Sequence, residues 1–113
     1  MKKFLVTYHS SAVYYEKMKT ASPEMRKQVM QNWMSWSQEN KGNLVDFGAP
    51  VVASGKNLSK EGATSSESEF AGYFVLQAES IDEVVSLLQN HPHIQSDDSS
   101  TLKIHEMMSM PKM

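Results

Sequence analysis

Residues 70–78 read Phe-Ala-Gly-Tyr-Phe-Val-Leu-Gln-Ala, a run of aromatic and branched side chains that predicts a β-strand. Because successive side chains of a strand point to opposite faces, Phe74 and Leu76 face one way and Tyr73 and Val75 the other. A strand with large apolar groups on both faces belongs in the interior of a sheet rather than at its edge.

The residues after this strand predict a short helix. Ser80 fits the N-cap and Glu83 the third helical position, and together they form a capping box. The helix runs to Gln89, because the proline of His91-Pro92 disfavours helical geometry in the residue before it. Four aliphatic residues form its buried side: Val84, Val85, Leu87 and Leu88.

A strand and a helix also begin the chain. Residues 2–9 form the first predicted strand, and residues 10–21 are expected to be a connector. Ser22-Pro23-Glu24 starts a helix that Lys41-Gly42 ends with a cation and a glycine after the C-cap. Its apolar stripe, which we expect to be core rather than a cofactor contact, consists of Met25, Val29, Trp33 and Trp36.

Two further strands complete the predicted set. Residues 44–53 form the second strand, in which Gly48-Ala49-Pro50 favours an edge position. Residues 54–69 are almost all small or polar and predict a long exposed loop. After a polar turn at residues 95–100, residues 101–107 form the fourth strand.

The order β-α-β-β-α-β predicts an α+β fold with a four-stranded antiparallel sheet, in the spatial order 4-1-3-2, and both helices on one face. The other face is uncovered and mixed in character. By strand phase it carries Leu5, Thr7, His9, Tyr73, Val75, Gln77, Lys103, His105 and Met107. Exposed apolar area of this kind marks a partner surface. We therefore expect a homodimer whose two sheets enclose a cavity for a small organic molecule.

The composition narrows the range of partners. Eleven basic and 13 acidic residues are scattered along the chain and give a net charge of −2, so we expect neither a nucleic-acid nor a membrane partner. The chain has no cysteine, which excludes disulfides and thiol catalysis. No secretory signal and no apolar run of about 20 residues is present. We expect a cytoplasmic protein with one domain over residues 1–113, of which 107–113 are a tail.

Several short motifs resemble those of the YCII-related (DGPF-type) family. They are the strand at 70–78, Ser80-Ile81-Asp82-Glu83, His91-Pro92, Leu102-Lys103-Ile104-His105-Glu106, and Gly42-Asn43-Leu44 with Gly48-Ala49-Pro50. The resemblance covers most of the chain. It implies a ferredoxin-like α+β fold that pairs into a dimeric α+β barrel.

Two features of that family are missing. Ser66-Glu67-Ser68-Glu69 stands where the DGPF tetrapeptide is expected, and Met107 rather than a basic residue follows Glu106. The family includes a lyase-type dehydrochlorinase that acts on a chlorinated lactone, and a His–Asp pair has been proposed as the family's active site. That pair does not align with this chain residue by residue. The resemblance therefore predicts the fold rather than the reaction.

The predicted topology brings candidate groups for proton transfer to one end of the sheet. His9 is the candidate general base, because imidazole titrates near neutrality. Tyr15 or Tyr73 is the candidate donor of a hydrogen bond to a developing oxyanion. The opposing interpretation is that His9 ends a strand in solvent.

Five more residues are candidates for ligand contact: Tyr14, His91, His93, Lys103 and His105. His91-Pro92-His93 can also be read as a metal pair, but further ligands are missing from its neighbourhood in the sequence. The simpler interpretation is that His91 lies at the negative end of the helix before it. We expect neither a metal nor a cofactor.

Two classes of function remain open. One is a small-molecule-binding protein that works as a cofactor-free lyase or isomerase by His/Tyr proton transfer. The other is a non-catalytic binding or regulatory module with the same cavity. A cofactor-free monooxygenase of related barrel shape is compatible with the same residues. Phosphate-binding glycine loops, nucleophile elbows and HExxH motifs are absent from the sequence, as is the basic-aromatic signature of RNA-recognition modules.

Overall fold

The computed structural model describes residues 1–96 and 99–110, apart from the side chains of Ala12, Tyr15 and Ser96. Its helices and strands are, in chain order, β1 Lys2–His9, α1 Ala12–Lys19, α2 Pro23–Glu39, β2 Leu44–Pro50, β3 Ser54–Ser59, β4 Gly62–Glu67, β5 Phe70–Ala78, α3 Ile81–Leu88, α4 Pro92–Ser96 and β6 Thr101–Glu106. None of the described helices is long and apolar enough to cross a membrane.

The main sheet has four antiparallel strands in the order β2-β5-β1-β6. Read from β6, this is the predicted 4-1-3-2 arrangement, because β5 and β6 are the third and fourth strands expected from the sequence. The two long strands β1 and β5 lie in the centre, where both edges of each are hydrogen-bonded. The predicted α+β fold is confirmed.

One face of the sheet carries the core. Phe4, Val6 and Tyr8 of β1 lie beside Phe74 and Leu76 of β5, and all five are buried. Burial in β5 follows the period of two that the sequence shows in residues 70–78, except at Val75, which is also buried. The remaining buried members of this cluster are Trp36, Ala78, Val84 and Leu88.

Side-chain caps start the two helices that were predicted. The Ser22 hydroxyl accepts a hydrogen bond from the Met25 N–H at 3.2 Å, and the Ser80 hydroxyl accepts one from the Glu83 N–H at 3.2 Å. The Glu83 carboxylate in turn accepts the N–H of Glu79 at 2.9 Å, one residue earlier than in a standard capping box. The caps determine where each helix leaves the sheet.

The two helices approach the sheet to different extents. α3 packs closely on β5 and β6, whereas α2 has its nearest helical neighbour in α4. The indole N–H of Trp36 donates to the Leu87 carbonyl at 3.3 Å and ties α2 to the end of α3. This arrangement leaves a space between α2 and the sheet.

Two expectations about the first helical region are wrong. Residues 12–19, expected to be part of a connector, form α1, whose N-cap Ser11 accepts the Tyr14 N–H at 3.1 Å. Two features of this segment indicate a helix: its N-cap and its two lysines in the last turn, which complement the helix dipole. Its aromatic residues instead suggested a connector. α2 ends at Glu39 rather than at Lys41-Gly42, because the Asn40 side chain donates to the Trp36 carbonyl at 2.9 Å.

The expected loop at residues 54–69 is instead a β-hairpin. β3 and β4 pair from Ser54↔Glu67 to Ser59↔Gly62, and nearly every residue in them is exposed. Both faces of the ribbon are polar, so the alternation that reveals a half-buried strand is missing. The hairpin contacts chiefly itself and stands away from the body, which raises the radius of gyration to 15.8 Å from the roughly 13 Å typical of this chain length.

The segments before β3 and after α3 also depart from expectation. β2 ends at Pro50 rather than at residue 53 and pairs irregularly with β5, with register shifts on both sides of Asp46. It is an edge strand, as its proline predicted. Pro92 starts the short helix α4, which extends into the turn expected at residues 95–100, because proline suits the first helical position. Part of that expected turn, residues 97–98, lies outside the described residues.

Candidate functional site

A cavity of about 470 Å³ lies between α2 and the sheet, on the helix-covered side. We call it the aromatic pocket. Its wall is mainly apolar and comes from six separate parts of the chain. The aromatic and polar side chains of this lining include Tyr8, Arg26, Trp33, Trp36, Phe74 and His91.

His91 sits at the centre of the aromatic rings of this pocket. Its imidazole is stacked on Phe74 with ring centroids 5.5 Å apart and an interplanar angle of 8°. Trp36 and Trp33 meet it edge to face at 4.5 and 4.8 Å. The ring is 1% exposed. Three aromatic rings therefore surround this side chain and hold it in one orientation. They come from β5 and α2, while His91 itself lies in the turn after α3.

Burial sets the protonation state of His91. Removal from water, reinforced by the nearby charge of His93, lowers the pKa of the His91 imidazole from 6.5 to about 3. Its Nδ1 accepts the backbone N–H of His93 at 3.0 Å. An acceptor Nδ1 in a neutral ring places the proton on Nε2. Within residues 1–96 and 99–110 no hydrogen bond to Nε2 is found, and His91 is one of the residues that line the pocket.

His93 and Tyr8 connect the pocket to β1. Nε2 of His93 lies 3.0 Å from the carbonyl oxygen of His9 and therefore donates to it. The Tyr8 ring lies 5.3 Å from the His93 ring and 4.6 Å from that of Trp33. Burial raises the pKa of the Tyr8 phenol, so the hydroxyl keeps its proton at neutral pH.

The mouth of the pocket combines an edge strand with the start of α2. Gly48 has φ +62° and a Cβ there would lie 1.9 Å from the Tyr73 carbonyl oxygen, so only glycine fits this point of β2. Phe47, beside it, is 69% exposed. On the opposite side, the guanidinium of Arg26 donates to the carbonyl of Lys19 at the end of α1. The bond holds Arg26 at the rim of an apolar cavity.

The predicted catalytic residues His9 and Tyr73 lie on the other face of the sheet, which we call the open face. The register pairs Thr7 with Tyr73 on one side and with Lys103 on the other. Nε2 of His9 lies 2.8 Å from the Thr7 hydroxyl, which places its ring on the same face. His105, opposite Leu5, follows along that face. The structure therefore brings His9, Tyr73 and Lys103 together, with His105 next to them.

The protonation of His9 is also shifted. Partial burial lowers its pKa, and the positive charge of Lys103 lowers it further, while Glu69 opposes both effects. The imidazole is therefore neutral at pH 7 and able to accept a proton.

The other two predicted tyrosines belong to α1. Tyr14 is half-buried, and its backbone N–H caps the helix through Ser11. The side chain of Tyr15 lies outside the described residues. The predicted set thus divides in two: His91 and His93 line the aromatic pocket, and His9, Tyr73, Lys103 and His105 lie on the open face.

The sequence reasoning missed Arg26, Tyr8 and Phe74 as pocket residues and assigned Trp33 to the core alone. Trp36 is buried as expected, but Trp33 is only partly buried and forms pocket wall. A signal was present in α2, because the pocket residues follow helical spacing: Arg26, Val29, Met30, Trp33, Trp36 and Ser37. Met25, taken as a member of the apolar face, is 47% exposed. Within the described residues, no group of three or more His, Asp or Glu side chains could hold a metal ion.

The family model described as the YCII-related domain matches residues 4–108. The chain belongs to the YCII family. The YCII membership expected from the motifs is thus confirmed, although the residues before β5 depart from the DGPF sequence. No curated protein matches the sequence.

A solved structure shares the YCII fold of this chain. It is 5-chloro-2-hydroxyhydroquinone dehydrochlorinase (TftG) from Burkholderia phenoliruptrix, in complex with 2,5-dihydroxybenzoquinone. The TM-score is 0.56 at 16% sequence identity, and the match covers 94% of this chain and 93% of the other. At this identity the similarity bears on the fold alone, and it agrees with the ferredoxin-like α+β architecture.

Proposed function

We propose that this YCII-family protein binds a small, flat ring compound that carries an oxygen acceptor, in the aromatic pocket. The observation that carries the proposal is the buried neutral imidazole of His91 in the wall of a mainly apolar cavity. Aromatic walls favour a flat ring by about 0.5–1.5 kcal/mol for each ring pair. The Nε2–H of His91 adds a preference for an oxygen atom. The cavity has a volume typical of small-molecule sites.

A pair of isosteric probes tests this proposal. p-Cresol and p-xylene have the same shape but differ in one hydroxyl group. Both tryptophans of the chain, Trp33 and Trp36, line the pocket, so quenching of their fluorescence measures occupancy. We expect p-cresol to bind about fivefold more tightly, since one hydrogen bond contributes on the order of 1 kcal/mol.

Two variants show whether His91 causes that preference. His91→Phe keeps an aromatic ring against Phe74 but removes the donor, so p-cresol and p-xylene should then bind equally. His105→Phe makes the same change on the open face and should leave the preference intact. A preference that survives in His91→Phe, or a wild-type protein that binds neither probe, would contradict the proposal.

The reaction that these groups suit is proton transfer in a cofactor-free lyase or isomerase. A neutral histidine that donates a hydrogen bond polarises a carbonyl and stabilises the enolate formed from it. The structural relative supports a ring substrate of this kind, since it is a dehydrochlorinase bound to 2,5-dihydroxybenzoquinone. The alternative is a non-catalytic binding or regulatory module that uses the same pocket.

The open face supports a second position for catalysis. His9 is the proposed base there, Tyr73 the proposed hydrogen-bond donor and Lys103 a contact for an anionic group. Their support is the shared register position next to Thr7 and the lowered pKa of His9. This face lies open in one chain, so the proposal includes a second copy of the protein that covers it and forms a homodimer.

Solvent deuterium incorporation distinguishes these possibilities. ¹H NMR of a bound carbonyl ring compound in ²H₂O reports abstraction of a carbon-bound proton even when no full turnover follows. Loss of exchange in His9→Ala alone assigns the base to the open face. Loss in His91→Phe alone assigns the reaction to the aromatic pocket. No exchange in the wild-type protein, with binding retained, supports the non-catalytic module.

A further inference from the structure

The rim of the aromatic pocket carries a single charged side chain. Among the described residues that line the cavity, Arg26 is the only lysine, arginine, aspartate or glutamate, and the two histidines of the lining, His91 and His93, are both buried. Arg26 is also the only arginine among the 113 residues of the chain; the other ten basic residues are lysines. A guanidinium presents its N–H groups in a planar fork that matches a carboxylate, which a lysine ammonium does not.

The position of Arg26 is fixed from outside the pocket. Its Nη2 donates to the carbonyl of Lys19, at the C-terminal end of α1. That bond uses one of the five guanidinium N–H groups. Within residues 1–96 and 99–110, the one ion pair between side chains joins Lys2 and Glu106, so no described carboxylate occupies the fork of Arg26. The guanidinium is therefore oriented but not neutralised.

The pocket wall holds two polar groups, the guanidinium of Arg26 and the imidazole of His91, together with aromatic rings. Arg26 and Trp33 are seven residues apart in α2, which is about 10 Å along the helix axis, and Trp33 contacts the His91 ring at 4.8 Å. Between the guanidinium at the rim and the Nε2–H of His91, the wall is formed by the rings of Trp33, Trp36 and Phe74. The two hydrogen-bond donors and the three rings therefore line the same cavity.

We propose that the ligand of the aromatic pocket is a monocyclic aromatic carboxylate, with its carboxylate on Arg26 and a ring oxygen across from it on His91. This inference rests on the proposed function, since it assigns the chemical class of the ligand in the same pocket. The charge of the ligand is expected to remain at the rim, where water and the guanidinium both solvate it. The neutral, oxygen-bearing end lies among the aromatic rings, where a charge would be costly.

Two probes of equal size measure the contribution of the charge. 4-Hydroxybenzoate and 4-hydroxybenzamide differ only in whether the group opposite the hydroxyl is anionic. We expect tryptophan fluorescence to report at least tenfold tighter binding of 4-hydroxybenzoate, because hydrogen bonds to charged partners are about twice as strong as neutral ones. The preference should diminish as salt concentration rises, since the rim is exposed to solvent.

Substitutions at two adjacent positions identify the residue responsible. Arg26→Gln should abolish the preference for the carboxylate, and Arg26→Lys should restore part of it, because a point charge remains without the fork. Lys27→Gln removes the same charge one residue further along α2, outside the pocket lining, and should leave the preference unchanged. Far-UV circular dichroism checks that each variant keeps its helices.

The outcomes separate this inference from the proposed function. If both probes bind equally well and Arg26→Gln has no effect, the carboxylate assignment is wrong although the pocket still binds ring compounds. If Lys27→Gln and Arg26→Gln weaken 4-hydroxybenzoate equally, the effect is one of overall charge and the assignment to Arg26 is wrong. If neither probe binds and p-cresol also fails, both proposals are wrong.

Discussion

The helix-covered face and the open face of the same sheet differ in which parts of the protein cover them. On the covered face, α2, α3 and the segment around His91 pack over strands of the sheet and, together with these strands, enclose the core and the aromatic pocket. On the open face, residues of one sheet stand side by side without a described element above them. Both faces carry histidines whose pKa is lowered mainly by burial, to which His93 adds at His91 and Lys103 adds at His9. The pocket on the covered face is therefore formed within one chain, whereas the site proposed on the open face includes a second copy.

The largest expected effect concerns the buried histidine of the covered face. The unfolded chain binds a proton at His91 below about pH 6.5, whereas the folded protein does so only near pH 3. Folding is therefore stabilised by the neutral ring above pH 6.5, and this contribution decreases as pH falls towards 3. Since each pKa unit corresponds to about 1.4 kcal/mol, we expect a loss on the order of 4 kcal/mol over this range, measured by urea unfolding.

Two histidine variants provide the controls for that measurement. His91→Phe should show a clearly weaker decrease of stability between pH 6.5 and 4, because the titrating group is gone and the carboxylates remain. His105→Gln on the open face, where the imidazole is exposed, should show the wild-type decrease. Equal pH profiles for wild type and His91→Phe would mean that the imidazole is not buried in solution.

The next effect compares one leucine from each face. Leu76 is 0% exposed on the covered face, so Leu76→Ala should lower the free energy of unfolding by about 3 kcal/mol through lost burial and a cavity. Leu5, half-buried on the open face, should cost less in dilute protein. If a second copy covers the open face, the cost of Leu5→Ala rises with protein concentration, while that of Leu76→Ala does not. Urea midpoints at several concentrations decide this.

A charge on the open face tests the homodimer directly. Leu5→Glu places a carboxylate beside Val75 and His105, at the centre of the proposed contact between sheets. We expect sedimentation velocity to show wild-type dimers at micromolar concentration and a dissociation constant at least tenfold higher in the variant. Leu58→Glu in the exposed hairpin is the matched control and should sediment like the wild type. Wild-type protein that sediments only as a monomer would contradict the homodimer.

The smallest expected effect on stability concerns the N-cap of α3. Ser80→Ala removes the N-cap of α3 and should cost about 1 kcal/mol. Ser86→Ala, at an exposed interior position of the same helix, should stay within about 0.5 kcal/mol of the wild type. If the two substitutions cost the same, the cap does not contribute to the stability of the covered face. Thermal unfolding followed by circular dichroism resolves the difference.

Much of the covered face was predictable because local rules determine it. The alternation in residues 70–78, the caps at Ser22 and Ser80 and the proline of β2 each act over a few residues, and each has the predicted structural consequence. The β3–β4 hairpin was not predictable in this way, since a ribbon that is polar on both faces carries no burial pattern. α1 was missed because its cap is followed by tyrosines rather than by an apolar stripe.

The candidate site was predictable only in part. His91 and His93 stood out in the sequence as a pair, but their surroundings come from β1, α2 and β5. Arg26 showed no sign of a role, because a single arginine near a helix start is ordinary in a surface helix. Its position over the pocket depends on where α2 crosses the sheet, which the contacts of Trp36 with α3 and the bond to Lys19 determine.

By itself, the sequence determined the four strands of the main sheet, the two main helices and their order, because hydrophobic period, caps and turn residues act between near neighbours in the chain. Its short motifs also determined the YCII membership. The tertiary structure alone decided that His9 and His91 lie on opposite faces of the sheet, and that rings from distant segments surround one imidazole. Those features depend on the distance between α2 and the sheet, which results from packing among residues far apart in the chain and has no local signature.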